Sequence, residues 1–190
     1  MSALRSALVV ALAAAAATTA HAADPVQWDV AAGGNGHYYL YVADALSWQE
    51  ALAAAAATTW QGRAGYLATI TSAAENSFVG ASVADSRLAW ISASDDGSEG
   101  NWTWRAGPEG GQALGYTNWA PGEPNNCCGG ENFAQLNWLS TGAWNDHGGP
   151  GNPSQLNGYV IEYAAAVTEP ASAALMLAGA ALLAGLRRRR

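Results

Sequence analysis

Between positions 119 and 149 the chain reads WAPGEPNNCCGGENFAQLNWLSTGAWNDHGG, a segment dense in hard oxygen donors and too rich in Gly and Pro for a helix. Glu123, Glu131 and Asp146 offer carboxylates, and Asn125, Asn126 and Asn145 offer amide oxygens. Carboxylates and amides together are the donor set that calcium takes. A solvated polar loop uses the same residue types, so composition alone leaves both readings open. Cys127 and Cys128 are neighbours inside this segment. They can close a vicinal disulfide, bridge two chains or stay free, but they cannot clamp distant parts of a fold. A zinc site needs more thiol or imidazole ligands than His147 alone supplies.

The elements that must position these residues begin at Val26. Two strand-like runs, 26–31 and 37–42, flank Gly33-Gly34-Asn35-Gly36, which predicts a hairpin. Ser47-Trp48-Gln49-Glu50 is a capping box, opening a helix through Thr58 that packs through Trp48 and Leu52. The run 65–70, GYLATI, predicts a short strand leading into Ser72-Ala73-Ala74-Glu75, a second capping box with a helix to about Val83. Residues 88–91 read as a buried strand and 94–100 as an acidic turn. Residues 101–104 alternate with Trp102 and Trp104 on one face, and 132–138 and 159–163 are the last strand candidates. Two helices early and short strands late make an α+β domain with long loops.

A chain of 190 residues holds one domain plus extensions. Residues 1–23 have an early Arg5, an apolar run and small residues at Ala20-His21-Ala22, the pattern of a secretory signal peptide. Residues 171–186 are small and apolar and precede Arg187 to Arg190. This run is a marginal transmembrane helix, with its arginines on the cytoplasmic side and the domain outside. Five of the eight basic residues, all Arg, lie in these ends. Arg63, Arg87 and Arg105 then face all fifteen acids between Asp24 and Glu169, a balance of −12. That charge disfavours nucleic acid and anionic membrane surfaces as partners.

The order of motifs resembles a C-type lectin domain over about residues 28–165. A helix, GYLATI, AENSFV in a capped helix, AWISASD and EGNWTW precede GEPNN, GGEN, WND and the closing GYVIEY. The resemblance implies a C-type lectin-like α+β fold over 24–167 with a long calcium-binding loop. It places the principal calcium ligands at Glu123, Asn125, Glu131, Asn145 and Asp146, which would also bind the sugar, with a cis peptide before Pro124. An auxiliary ion would use Asp95, Glu99 and Asn126 with a shared Glu131. Glu-Pro-Asn implies mannose- or glucose-type sugars, because in the family it goes with equatorial 3- and 4-hydroxyls. Phe133 and Ile161 stand where family cysteines often lie, and Trp144 and Trp119 are expected to pack as core. A vicinal disulfide at Cys127 and Cys128 would stiffen the loop. Residues 168–190 resemble a PEP-CTERM sorting tail read by an exosortase, with Thr168-Glu169-Pro170 in place of Pro-Glu-Pro.

The function expected is calcium-dependent carbohydrate binding by a secreted or envelope-anchored bacterial lectin, a role in adhesion without chemical change to the sugar. The rival is a protein-binding or structural extracellular-matrix module on the same fold. An enzyme is not expected, since carboxylates around one calcium are all ionised ligands and no Ser-His-Asp or Cys-His arrangement has supporting spacing.

Overall fold

The computed structural model describes residues 23–149, 152 and 155–166, so the expected leader and sorting tail lie outside the described residues. Among those described, no helix is long and apolar enough to cross a membrane. Strand β1 (Val26–Gln27) pairs antiparallel with β2 (Tyr38–Leu46), the hairpin expected, but with a much shorter first strand. Asp29 ends it: its side chain accepts from Ala31 N at 2.9 Å and caps a 3-10 turn at Val30–Ala32, which Gly33 closes at φ 84°. A local side-chain partner outcompetes the ladder there.

Helix α1 (Trp48–Ala56) carries the full capping box. Ser47 Oγ accepts from Glu50 N, and Ser47 N donates to Glu50 Oε2 at 2.9 Å. Its buried face is Trp48, Ala51 and Ala55, and the small residues let the helix lie close to the sheet. After β3 (Thr59–Trp60) and β4 (Arg63–Leu67) comes α2 (Ala73–Ser77), continued by a π-helical turn at Phe78–Val83. Only half of the second capping box forms. Ser72 Oγ accepts from Glu75 N, but the Glu75 carboxylate turns to Thr71 N, Thr71 Oγ1 and Tyr39 OH instead of Ser72 N. Buried tertiary donors win over the local return bond.

The remaining strands are β5 (Ala89–Ser94), β6 (Thr103–Trp104), β7 (Phe133–Leu136), β8 (Trp144–His147) and β9 (Asn157–Tyr163). The main sheet runs β1-β2-β9-β5-β7-β8, with β6 on β5 and the β3–β4 hairpin joined through β4 to β9. Strand β9 is the hub. β2 lines one edge of it, while β5 at Gly158 and Tyr159 and β4 at Ile161 to Tyr163 share the other. The β5–β9 pair is parallel, and the other pairs are antiparallel. Two helices on such a sheet make an α+β fold, as expected.

Strand alternation sorts the side chains into two layers. Ala89, Ile91, Ala93 and Val160 join Tyr39, Val79, Trp104, Leu136 and Trp144 in one, where Trp102 and Trp119 pack at the margin. Trp90, Tyr159, Ile161 and Tyr163 join Trp48, Ala51, Ala55, Leu67 and Phe133 in the other. Phe133 stacks on Trp48 with centroids 4.6 Å apart, and Ile161 is 2% exposed, so packing occupies both positions where cysteines were the alternative.

The base of α2 holds a buried acidic cluster. Glu162 accepts from Thr69 N at 3.0 Å, from Thr69 Oγ1 and from His37, whose pKa is raised chiefly by that hydrogen bond. Burial raises the Glu75 carboxyl against the lowering effect of its Tyr39 and Thr71 donors. A group with a raised folded pKa contributes stability at low pH that is lost as pH rises through the folded value. For Glu75 that loss sets in from the ordinary carboxylate value of 4.5 upward, and for His37 from 6.5 upward. Urea denaturation should therefore show stability falling as pH rises from the ordinary carboxylate range to above 6.5. Glu75→Gln, which mimics the protonated carboxyl, should flatten the Glu75 part of that fall; an unchanged profile would count against this account.

Candidate functional site

The site forms where the 119–131 segment lies against β7 and β8. The long polar segment is not all loop: β8 carries Asn145 and Asp146 in register with Gln135 and Ala134 of β7. Every β8 residue before His147 is buried, polar ones included, so no apolar alternation announced this strand. A bridge from Trp119 to Trp144 and the bonds Trp144 N to Asn118 O and Ala120 N to Trp144 O, both 2.8 Å, lay the incoming chain along β8. Trp144 is core as expected, fully buried with its indole N–H on Asn76 Oδ1 at 2.7 Å. Trp119 meets it edge-on at 5.6 Å.

Asp146, 1% exposed, is the anchor. Its Oδ1 accepts from Asn125 N at 3.0 Å and its Oδ2 from Asn126 N at 2.6 Å, which fastens the Glu-Pro-Asn turn to the sheet. The Glu123–Pro124 peptide is cis, as the resemblance implied. Cys127 N donates to both Asn125 Oδ1 (2.9 Å) and Glu131 Oε2 (3.2 Å), and Glu131 N donates to Asn126 Oδ1 (2.8 Å). Four of the five expected principal ligands are thus linked by side-chain contacts or shared charge. Asn145 is 4% exposed and joins them as Asp146's neighbour on β8, with no side-chain hydrogen bond among those described. Gly149, at φ 144°, closes the rim where an added Cβ would stand 2.9 Å from Gly130 O.

The electrostatics mark a cluster short of positive charge. Burial first, then the adjoining Asp146 and Glu131 carboxylates, push Glu123 up to about 7. Its Oε2 is sealed from solvent without a hydrogen-bond partner, although the residue as a whole is half exposed. Burial and Asp146 also raise Glu131. Among the described residues no three His, Cys, Asp or Glu side chains gather into a ready metal cage, so carboxylates alone do not make the site. The donor set is mixed, and a hard divalent cation fits it: the ion would supply the partner that Glu123 Oε2 lacks and offset the repulsion that raises its pKa.

Of the auxiliary residues, Asp95 is 2% exposed and places Oδ2 on Gly100 N at 2.8 Å, while its Oδ1 is buried without a partner. Asp146 contributes to the raised values of both Asp95 and the exposed Glu99, after the desolvation that dominates each. Asn126 uses its amide oxygen on Glu131 N, and an amide oxygen keeps a second lone pair.

Two features were missed or left open in the sequence. His147 is half-buried between the rings of Trp90 and Trp138, with Nδ1 3.4 Å from Glu131 Oε1. Burial lowers its pKa, so the contact is a neutral one at physiological pH. Its place opposite Phe133 follows from the β7–β8 register, which local sequence did not disclose. Cys127 and Cys128 are joined in a vicinal disulfide, which resolves the three alternatives. Arg105 is exposed, whereas Arg63 lies half-buried over Tyr38 and Trp60.

The model of the lectin C-type domain matches residues 45–150. Halomucin of Haloquadratum walsbyi is 36% identical over 146 residues, 72% of this chain but 2% of halomucin. Perlucin of Haliotis laevigata is 36% identical over 86 residues, 43% of this chain and 53% of perlucin. The chain therefore spans about half or less of these relatives. Among solved structures, the carbohydrate-recognition domain of cow CD23, determined in the presence of a GlcNAc2Man3 oligosaccharide, aligns with a TM-score of 0.56 at 32% identity. That match covers 68% of this chain and 88% of the CD23 chain.

The anchoring of the turn is testable without any ligand. In Asp146→Ala the amides of Asn125 and Asn126 lose their acceptor, so hydrogen exchange at those two positions should accelerate at least about tenfold, the equivalent of ~1.4 kcal/mol of lost protection. Exchange in the β5 and β9 amides should be little changed; equal acceleration throughout would mean general unfolding.

Proposed function

The chain belongs to the C-type lectin domain family, and on that premise we propose that it binds carbohydrate through calcium without chemically altering it. The observation that carries this reading is the buried, partnerless Oε2 of Glu123 amid carboxylates and amides fastened by Asp146. Glu123, Asn125, Glu131, Asn145 and Asp146 would hold the ion, which supplies a charge centre open to two vicinal sugar hydroxyls. Carboxylate oxygens of the set accept from those hydroxyls and the Asn amides donate to them, so each hydroxyl can be met in both of its roles. Asp95, Glu99 and Asn126, with Glu131, are the proposed seat of an auxiliary ion.

Glu-Pro-Asn at 123–125 supports a mannose- or glucose-type ligand, and the CD23 structure with its mannose-containing oligosaccharide is in keeping with that choice. A leader over 1–23 and a PEP-CTERM-like tail over 168–190, the substrate of an exosortase, would deliver the domain to the envelope or beyond it. Many copies at one surface would raise the avidity of a shallow site.

Calorimetric titration of the purified protein with calcium, followed by competition of mannose against galactose, tests the reading. Glu123→Ala/Asn125→Ala should remove the calcium binding of the principal site, leaving at most that of the auxiliary residues, and should abolish glycan binding; mannose should displace an immobilised mannose-type glycan at lower concentration than galactose. Glycan binding that persists in excess chelator would overturn the mechanism. The pH dependence has a defined sign. Ligation needs the ionised carboxylate, and Glu123 without an ion is held near 7, so calcium affinity should decline as pH falls through about 7 rather than through the ordinary carboxylate range.

A further inference from the structure

We propose that the Cys127–Cys128 disulfide positions the ion site and places it under redox control: the closed ring presets Asn125 and Glu131, and reduction by a thiol weakens calcium binding. The inference rests on the calcium-dependent reading above and extends it to regulation.

The pair sits between the two ligand groups. Cys127 N is the single donor shared by Asn125 Oδ1 and Glu131 Oε2, at 2.9 and 3.2 Å. Cys127 O accepts from Gly130 N at 3.0 Å, closing the turn that brings Glu131 back toward Asn125. The turn is built from unusual backbone: Asn126 and Cys128 hold φ of 47° and 61°, left-handed values uncommon for residues with a Cβ, before Gly129 and Gly130 at 99° and 119°. A bond between adjacent cysteines encloses their shared peptide in a small ring, so the torsions on either side of that peptide are restricted. Those torsions aim Cys127 O at Gly130 and set where the chain leaves for Glu131. With the ring closed, the loop has less freedom to lose when an ion binds, which is the way preorganisation raises affinity.

The bond is open to chemistry. Cys128 is exposed and Cys127 half-buried, so a solvent thiolate can reach the ring. Attack on one sulfur breaks the S–S bond and forms a mixed disulfide. A second thiol of the reductant then displaces the protein sulfur, leaving two protein thiols and an oxidised reductant, with two electrons and two protons passed to the protein. The chain has only these two cysteines, so the opened form has no other intramolecular partner and reoxidation restores the same bond. Freeing the loop torsions should weaken calcium binding roughly tenfold, about 1.4 kcal/mol.

The test compares calcium titrations of the oxidised full-length protein, the same protein reduced with dithiothreitol, and Cys127→Ser/Cys128→Ser, with mass spectrometry reporting the state of the bond. The oxidised form should bind about tenfold more tightly than the other two. The Ser variant should ignore the reductant, and reoxidation of the wild type should recover the tighter binding. Thermal unfolding in chelator separates positioning from general stapling, and all three forms should melt within about 3 °C of one another. Equal, measurable affinities in the oxidised and reduced forms would overturn this inference alone. So would a melting temperature that falls in step with affinity, or purification of the protein with both thiols free. Absence of calcium binding in every form would overturn the calcium reading and this inference with it.

Discussion

One carboxylate holds the site to the fold. Asp146 is buried on β8, and its two oxygens take the backbone N–H groups of Asn125 and Asn126, so a turn that makes no ladder of its own is tied to a strand that does. Charge-assisted bonds to backbone amides are among the stronger hydrogen bonds available, and both oxygens keep lone pairs free. The same interaction explains why the segment is organised from its far end. Residues 123–131 contribute most of the oxygen donors, but their positions are set by a strand that follows them in the chain.

The strand is in turn held by the sheet. Among the named strands described, β8 pairs with β7, β7 with β5, and β5 with the hub strand β9, so the site stands at the end of a ladder whose strands carry both core layers. No disulfide reaches across that ladder, since the only pair of cysteines is adjacent. Phe133 on Trp48 and Ile161 beneath α1 provide the apolar contact there, and Trp144 against Trp104, Tyr116 and Trp119 fills the other layer below the turn. Large aromatic rings bury much area per residue, which suits a domain that relies on packing for cohesion.

What could be read from the sequence were the features with local causes. Ser47 and Glu50 are both capping groups and nothing nearby competes, so α1 appears with the expected start. The apolar runs 88–91 and 159–163 were visible as strands, but β5 continues to Ser94, inside the expected turn, and β9 begins at Asn157, because those polar ends offer no apolar signal. Ser72 and Glu75 show where that reasoning stops: the pattern is a capping box, yet Tyr39 and Thr71 draw the carboxylate away. β8 was hidden because Asn145 and Asp146 are polar and buried at once, a condition created by the turn laid over them. The gathering of Glu123, Asn125, Glu131, Asn145 and Asp146 was foreseen only through resemblance to a known motif, and the state of Cys127 and Cys128 was undetermined because adjacency permits several outcomes.

Among the described residues, the acidic cluster at the base of α2 and the one at the turn differ in donor supply. Glu75 receives Tyr39 OH, Asn35 Nδ2, Thr71 N and Thr71 Oγ1, while Glu162 receives His37 and Thr69 N and shares the Thr69 hydroxyl with Glu109. Nearly every lone pair that matters is met from within the fold, as a structural network requires. At the turn the supply is thin. Glu131 has Cys127 N and a distant neutral His147, and Glu123 leaves a sealed oxygen with nothing to accept from. Both clusters contain buried carboxylates, but the first is well supplied with donors and the second is not. The same fold that supplies its acids at the base of α2 leaves them short of donors beside Asp146, and the difference lies in whether the surrounding strands or a turn of the chain must provide the N–H groups.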